Sequence, residues 1–139
     1  MKKIVLALLF SGALVFGAGI KWEKDYNSAV AKAKVQNKPI MFIVSNHNCH
    51  FCVQFEGTTL KNPQVVEKLN KDFVSAVAYI DENPLFPRQL FVPGTPGTWF
   101  LKPNGEPMFE PIMGAVESND FIKALDIVKQ EYAKSAVKK

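Results

Sequence analysis

Cysteine is scarce in this sequence: there are two, Cys49 and Cys52, three positions apart. A secreted chain stapled by disulfides usually carries more of them at wider spacing. The loop this pair would close is also short, and the entropy a cross-link removes from the unfolded chain grows with loop length. The pair is a poor staple, and its presence asks for an explanation in chemistry.

Other absences narrow the field further. No internal repeat, low-complexity tract or long linker divides the 139 residues, so one domain is expected. The lysines are spread along the chain and form no nucleic-acid-binding patch. Lys134, Lys138 and Lys139 read as the solvated end of a C-terminal helix. A hydrophobic content of 47% is that of a globular protein and argues against disorder.

The N-terminus has its own pattern. Met1-Lys2-Lys3 is a short positive start, Ile4 to Phe16 is almost wholly apolar, and Gly17, Ala18 and Gly19 precede the next charge, Lys21. That is the layout of a secretory signal cleaved after Gly17 or Gly19. The division expected is therefore a signal over 1–19 and one folded domain over 20–139. Loss of Lys2 and Lys3 lowers the formal charge from +4 to +2. The alternative is an uncleaved inner-membrane anchor, since Ile4 to Ile20 approaches the length needed to span a bilayer. No cysteine follows the apolar stretch, so a lipid-modified N-terminus is not expected. Either reading places the body of the protein outside the cytoplasmic membrane, in the periplasm.

Downstream, Trp22, Tyr26, Val30 and Ala33 recur at helical spacing, which predicts an amphipathic helix from Trp22 to about Asn37, stopped by Pro39. Ile40 to Val44 is a continuous apolar run rich in β-branched residues, as in a strand buried on both faces. A polar turn then leads into Cys49, after which Cys52, Phe55 and Thr59 share one helical face until Gly57 kinks or breaks it. Asn62-Pro63 starts another helix, with Val65, Val66 and Leu69 facing inward, and Phe73 to Ile80 reads as a second strand. A short helix is expected near Leu85 to Phe91, followed by the irregular stretch Val92 to Gly97. Thr98–Leu101 and Met108–Glu110 flank an Asn104-Gly105 turn and predict a hairpin. Ser118 is the expected cap of a last helix striped with Phe121, Leu125, Val128 and Tyr132. Early βαβ units followed by an antiparallel hairpin imply an α/β fold, a central mixed sheet with helices on both faces.

In this order of elements Cys49 falls at a helix N-terminus directly after a buried strand. Free backbone N–H groups and the helix dipole favour negative charge there. Such sites lower a cysteine pKa from about 8.5 to between roughly 3.5 and 7.5, and the thiolate is the reactive form. Cys49 is then the attacking thiol, and Cys52, one turn on and less exposed, resolves the mixed disulfide. His50, when protonated, would stabilise the Cys49 thiolate; the bland alternative is an exposed polar residue at a helix start. His47, in the preceding turn, reads as a bystander. Both imidazoles titrate near neutrality, so the site should respond to pH.

The apolar strand, the C-x-x-C, the later Thr95-Pro96 and the Asn104-Gly105 hairpin resemble the thioredoxin superfamily. The stretches Cys49-His50-Phe51-Cys52-Val53-Gln54-Phe55-Glu56 and Asn62-Pro63-Gln64-Val65 are similar to the C-terminal periplasmic domain of DsbD-type thiol–disulfide interchange proteins. The resemblance spans roughly Trp22 to Tyr132 and implies a thioredoxin-like fold. It implies further that Pro96 is cis, that Thr95 offers backbone hydrogen bonds to the substrate, and that Glu56 takes the proton of Cys52 as it attacks. An ordinary trans-proline loop and a solvated helix glutamate are the alternatives at those positions. The sequence also departs from the pattern. Asn48 stands where thioredoxins have Trp, and Ile43 and Val77 stand where cytoplasmic thioredoxins pair a buried Asp with a Lys. These departures point to a dedicated, partner-specific exchanger.

The expected activity is that of a thiol–disulfide oxidoreductase acting on periplasmic protein disulfides, as a reductase or electron carrier, with no cofactor beyond its own redox-active disulfide. Its expected partners are protein thiols and disulfides and a membrane or periplasmic electron donor, with the chain itself a monomer. An oxidase is the alternative. A copper or zinc module is another, because His47, Cys49, His50 and Cys52 are possible ligands, although four ligands crowded into six residues converge poorly on a tetrahedral ion. An interaction domain with a vestigial pair is a third. Covalent haem attachment needs C-x-x-C-H, and Val53 occupies the final position.

Overall fold

A computed structural model describes residues 19–138, so all but the last position of the expected export signal lies outside the described residues. Among those residues no helix is long and apolar enough to cross a membrane.

Ile40–Ser45 forms β1, buried at every position, which is the both-faces burial its apolar run predicts. It pairs in parallel with β2 (Val74–Tyr79) and antiparallel with β3 (Gly97–Leu101). A two-residue edge strand, β4 (Ile112–Met113), completes a four-stranded mixed sheet of order β2-β1-β3-β4. The side-chain alternation of β1 sorts the core into two layers. Ile40, Phe42 and Val44 pack with Ala29 and Ala33 of α1 (Tyr26–Gln36). Met41 and Ile43 face the other way, onto Phe55, Val65, Leu69, Phe121, Leu125 and Val128 of the remaining helices. Those helices are α2 (His50–Gly57), α3 (Pro63–Asp72) and α4 (Ser118–Val137). The fold is the thioredoxin-like α/β sandwich expected.

Local chemistry sets the ends of these elements. Asp25 caps α1 by accepting from the Ser28 N–H at 2.8 Å, so the helix begins four residues later than the periodicity suggests. Trp22 instead lies in a bridge alongside Ser75, adding to the sheet edge. Asn62 caps α3, its side chain accepting from Gln64 N and Val65 N, with Pro63 at the first helical position. In α4 the cap is Glu117, and Ser118 is the first helical residue.

The hairpin differs from expectation. Gly105 makes the turn at φ 90°, but the return contacts β3 only through a bridge from Pro107 to Leu101 and the bond from Met108 N to Phe100 O. The true return strand is Ile112–Met113, not Met108–Glu110. Pro107 and Pro111 bracket the missing segment, and a proline has no N–H with which to continue a ladder. The expected helix near Leu85–Phe91 shortens to one 3₁₀ turn, Arg88–Leu90.

Candidate active site

Cys49 is the N-cap of α2, and the sequence places it there by ending β1 at Ser45 and turning through Asn46, His47 and Asn48. Its sulfur accepts from the Cys52 N–H at 3.3 Å and lies 3.3 Å from the Thr95 carbonyl oxygen, to which its thiol donates. Cys49 is partly exposed and Cys52 is buried, and both are free thiols. The Thr95–Pro96 peptide is cis and lies against the pair, Pro96 buried and Thr95 half-buried.

The two sulfurs differ in acidity. Burial works to raise Cys49, but hydrogen bonds from the Cys52 thiol, the Thr95 side chain and the N–H groups of Cys52 and Phe51 outweigh it, and the group lies below its ordinary value. Cys52 is pushed up, first by burial and then by the proton it shares with Cys49. The Thr95 side chain, then the Ser45 side chain and the Asn46 backbone, oppose that rise without cancelling it. The partly exposed thiol is thus the more readily ionised of the two, and the buried one the less.

Glu56 follows Cys52 by one turn on α2, half-buried. Its Oε1 accepts a hydrogen bond from the Tyr79 hydroxyl at 2.6 Å. Burial first, and then this carboxylate, raise the Tyr79 phenol. The ring of His47 lies flat on that of Tyr79, centroids 3.8 Å apart and 17° from parallel. His47 is held in turn by Asp81, which accepts from its backbone N–H at 3.2 Å and pairs with Nδ1 at 2.9 Å. A small open cavity of about 210 Å³ borders this group, lined by Ile20, Trp22, Glu56, Leu60, Lys61 and Tyr79.

The residues singled out in the sequence therefore separate into two groups. Cys49, Cys52, Thr95 and Pro96 are brought together around the sulfurs, with Glu56 one turn along the same helix. His50 is exposed, and its ring packs edge-on against Phe51 at 5.6 Å between centroids. His47, read as a bystander, is instead tied to Tyr79 and Asp81. Its imidazole is engaged there, and among the described residues no three or more His, Cys, Asp or Glu side chains are grouped to hold a metal ion. Sequence reasoning missed Tyr79 and Ser45. Both end strands whose inward alternation could be counted, and they are register partners across β1 and β2.

Comparison with known proteins places this geometry. A family model described as a thioredoxin-like domain matches residues 26–129. The chain is 30% identical over 99 residues to rat (Rattus norvegicus) spermatogenesis-associated protein 20, covering 68% of this chain and 12% of that protein. The chain thus spans about an eighth of the length of this curated relative. Among solved structures, a thioredoxin from Thermus thermophilus superposes with a TM-score of 0.67 at 27% identity, over 80% of this chain and 88% of that one. The oxidised C-terminal domain of Neisseria meningitidis DsbD superposes with a TM-score of 0.57 at 19% identity, over 72% and 89% of the two chains. The last likeness is one of fold.

Proposed function

The chain belongs to the thioredoxin-like domain family, and from that premise we propose that it is an exported protein-disulfide reductase or electron carrier working through Cys49 and Cys52. The fold and the C-x-x-C pair support the broader class, a thiol–disulfide oxidoreductase. The observation that carries the exchange chemistry, though not its direction, is the division of labour within the pair, with Cys49 lowered at the cap of α2 and Cys52 raised and buried behind it.

The Cys49 thiolate attacks a substrate disulfide and forms a mixed disulfide, releasing one substrate sulfur. The Thr95 carbonyl, beside the Cys49 sulfur, is placed to accept a backbone N–H of the docked segment, with Pro96 shaping that edge. Cys52 then gives up its proton to Glu56 and attacks Cys49, which frees the second substrate thiol and closes the Cys49–Cys52 disulfide. A donor of two electrons must reopen that disulfide. The reductive direction rests on the resemblance of the stretch from Cys49 to Glu56 to DsbD-type domains. Residues 1–19 act as the export signal and deliver a monomeric domain to the periplasm, where protein disulfides and a membrane or periplasmic electron donor are its partners.

The lowered Cys49 favours a second reading. Stabilising a thiolate stabilises the reduced pair and makes the disulfide the stronger oxidant, so an oxidase is the direction to test against. Cys52→Ser blocks resolution and leaves partners linked to Cys49. Mass spectrometry of partners trapped in cells distinguishes the outcomes. A membrane electron donor supports the reductase, many newly exported proteins support the oxidase, and no trapped partner contradicts both. The N-terminal mass of the same sample reads signal cleavage directly.

A further inference from the structure

The resolving step needs a base beside a buried thiol, and a glutamate on an exposed helix turn has many rotamers in which it would face water instead. In this protein β2 supplies a hydrogen-bond donor to that glutamate. Tyr79 ends that strand on the same face as Val77, which packs against the α2 layer, and its register partner is Ser45 at the end of β1. From there the phenol reaches Glu56 Oε1 at 2.6 Å. The Tyr79 ring is itself clamped, with His47 stacked on it at 3.8 Å and Asp81 holding His47 through both backbone and ring. Cys52 and Glu82 also bear electrostatically on Tyr79, and Lys61 lines the cavity that Glu56 and Tyr79 share.

We propose that Tyr79 is a positioning residue for the resolving step, fixing the Glu56 carboxylate toward Cys52 by its hydrogen bond and held in turn by the His47 ring. The inference rests on the reading that Cys52 resolves the mixed disulfide. With Oε1 accepting from the phenol, Oε2 is left free to receive the proton. In the step itself the Cys52 S–H proton passes to Glu56, and the Cys52 thiolate attacks the Cys49 sulfur. The Cys49–substrate S–S bond breaks, the Cys49–Cys52 bond forms, and the substrate sulfur leaves as a thiolate with the electron pair. The substrate is reduced by the two electrons that the pair loses. Glu56 returns its proton to water through the open cavity.

The test is single-turnover reaction of the reduced protein with dithionitrobenzoate, a chromogenic aromatic disulfide, followed across pH. Attack by Cys49 releases a first nitrothiobenzoate, and resolution by Cys52 releases the second. Tyr79→Phe should slow the second release about tenfold, the rate equivalent of one hydrogen bond to a charged group, and shift its pH midpoint. The first release should stay within about twofold, which also reports an intact fold around Cys49. In a Glu56→Gln background the same change should slow the second release by less than about twofold, because residues acting through one another are not additive. An unchanged second release in Tyr79→Phe, equal slowing of both releases, or full additivity with Glu56→Gln would each overturn the role of Tyr79. A wild type that gives no second release would overturn the resolving role of Cys52, and the inference with it.

Discussion

Ile43 stands directly opposite Val77 across the parallel β1–β2 pairing, on the sheet face that carries α2. Two apolar side chains therefore occupy the sheet beneath the cysteine helix, and the nearest carboxylate to Cys52 on its own helix comes from Glu56. Under the proposed mechanism, proton transfer at the site falls to Glu56 on that helix, hydrogen-bonded by Tyr79 at the end of β2. Ile43→Asp would bury a carboxylate with no cation opposite it. It should destabilise the protein by about 3–5 kcal/mol at neutral pH, as seen when buried charges lack a partner. Burial raises the pKa of such a group, so the loss should shrink as pH falls and the carboxyl is neutralised. Urea unfolding at two pH values reads both effects; a loss that grew toward acid would contradict the assignment of this layer.

Ser45 is fully buried, and among the described residues its hydroxyl oxygen has no hydrogen-bond partner while the pair is reduced, yet its side chain lies where it lowers the Cys52 pKa. A buried hydroxyl left unsatisfied costs about 1–3 kcal/mol. Ser45→Ala should therefore be at least as stable as wild type in urea despite its depth. In a Cys49→Ser background it should move the ultraviolet thiolate titration of Cys52 upward. An unmoved titration would show that the hydroxyl does not serve the thiolate.

His47 is raised above its usual 6.5, first by its hydrogen bond to Asp81 and then by the charges of Asp81, Glu82 and Glu56, with burial opposing. Asp81 is lowered below 3.8, chiefly by the same bond. A raised histidine stabilises the fold fully below its unfolded value, and that contribution is lost as pH rises through the folded value. A lowered aspartate contributes above its unfolded value and loses that contribution as pH falls through the folded one. The pair is therefore worth most between about pH 4 and 6.5. Asp81→Asn should return the His47 titration, followed by NMR, toward 6.5. A titration that did not move would detach His47 from Asp81 and from the clamp on Tyr79.

Gly105 turns the chain with φ 90° in a buried position, and a Cβ added there would run into the Tyr26 hydroxyl. Gly105→Ala should cost about 1–3 kcal/mol, from backbone strain together with the displaced tyrosine. Unchanged urea stability would show that the turn relaxes freely.

What could be read from the sequence follows from how local each signal is. The apolar run Ile40–Val44 declared a central strand, because a strand buried on both faces needs no polar alternation. Asn62-Pro63 marked a helix start, and Asn104-Gly105 marked a turn, through chemistry contained in two residues. Cys49 at the cap of α2 followed from the same logic. The return strand at Ile112–Met113 was not legible, because its pairing with Gly97 and Thr98 is set by tertiary contact and not by alternation. Trp22 kept helical spacing with Tyr26 but joined the sheet edge once Asp25 had capped the helix behind it. Tyr79 escaped notice, and His47 reads as a bystander in the sequence, for a related reason: residues 32 positions apart meet only after β2 has been laid beside β1. A search for polar residues at strand ends next to the cysteine helix would have found Ser45 and Tyr79 together.

The central claim is that Cys49 and Cys52 cycle between dithiol and disulfide, and equilibration of the domain with defined ratios of reduced and oxidised dithiothreitol or glutathione tests it most directly. Thiols are trapped with an alkylating reagent and counted by mass. The account predicts that both thiols disappear together across a single midpoint, and that Cys49→Ser abolishes the transition. A pair that stays fully alkylatable under the most oxidising mixture would contradict it.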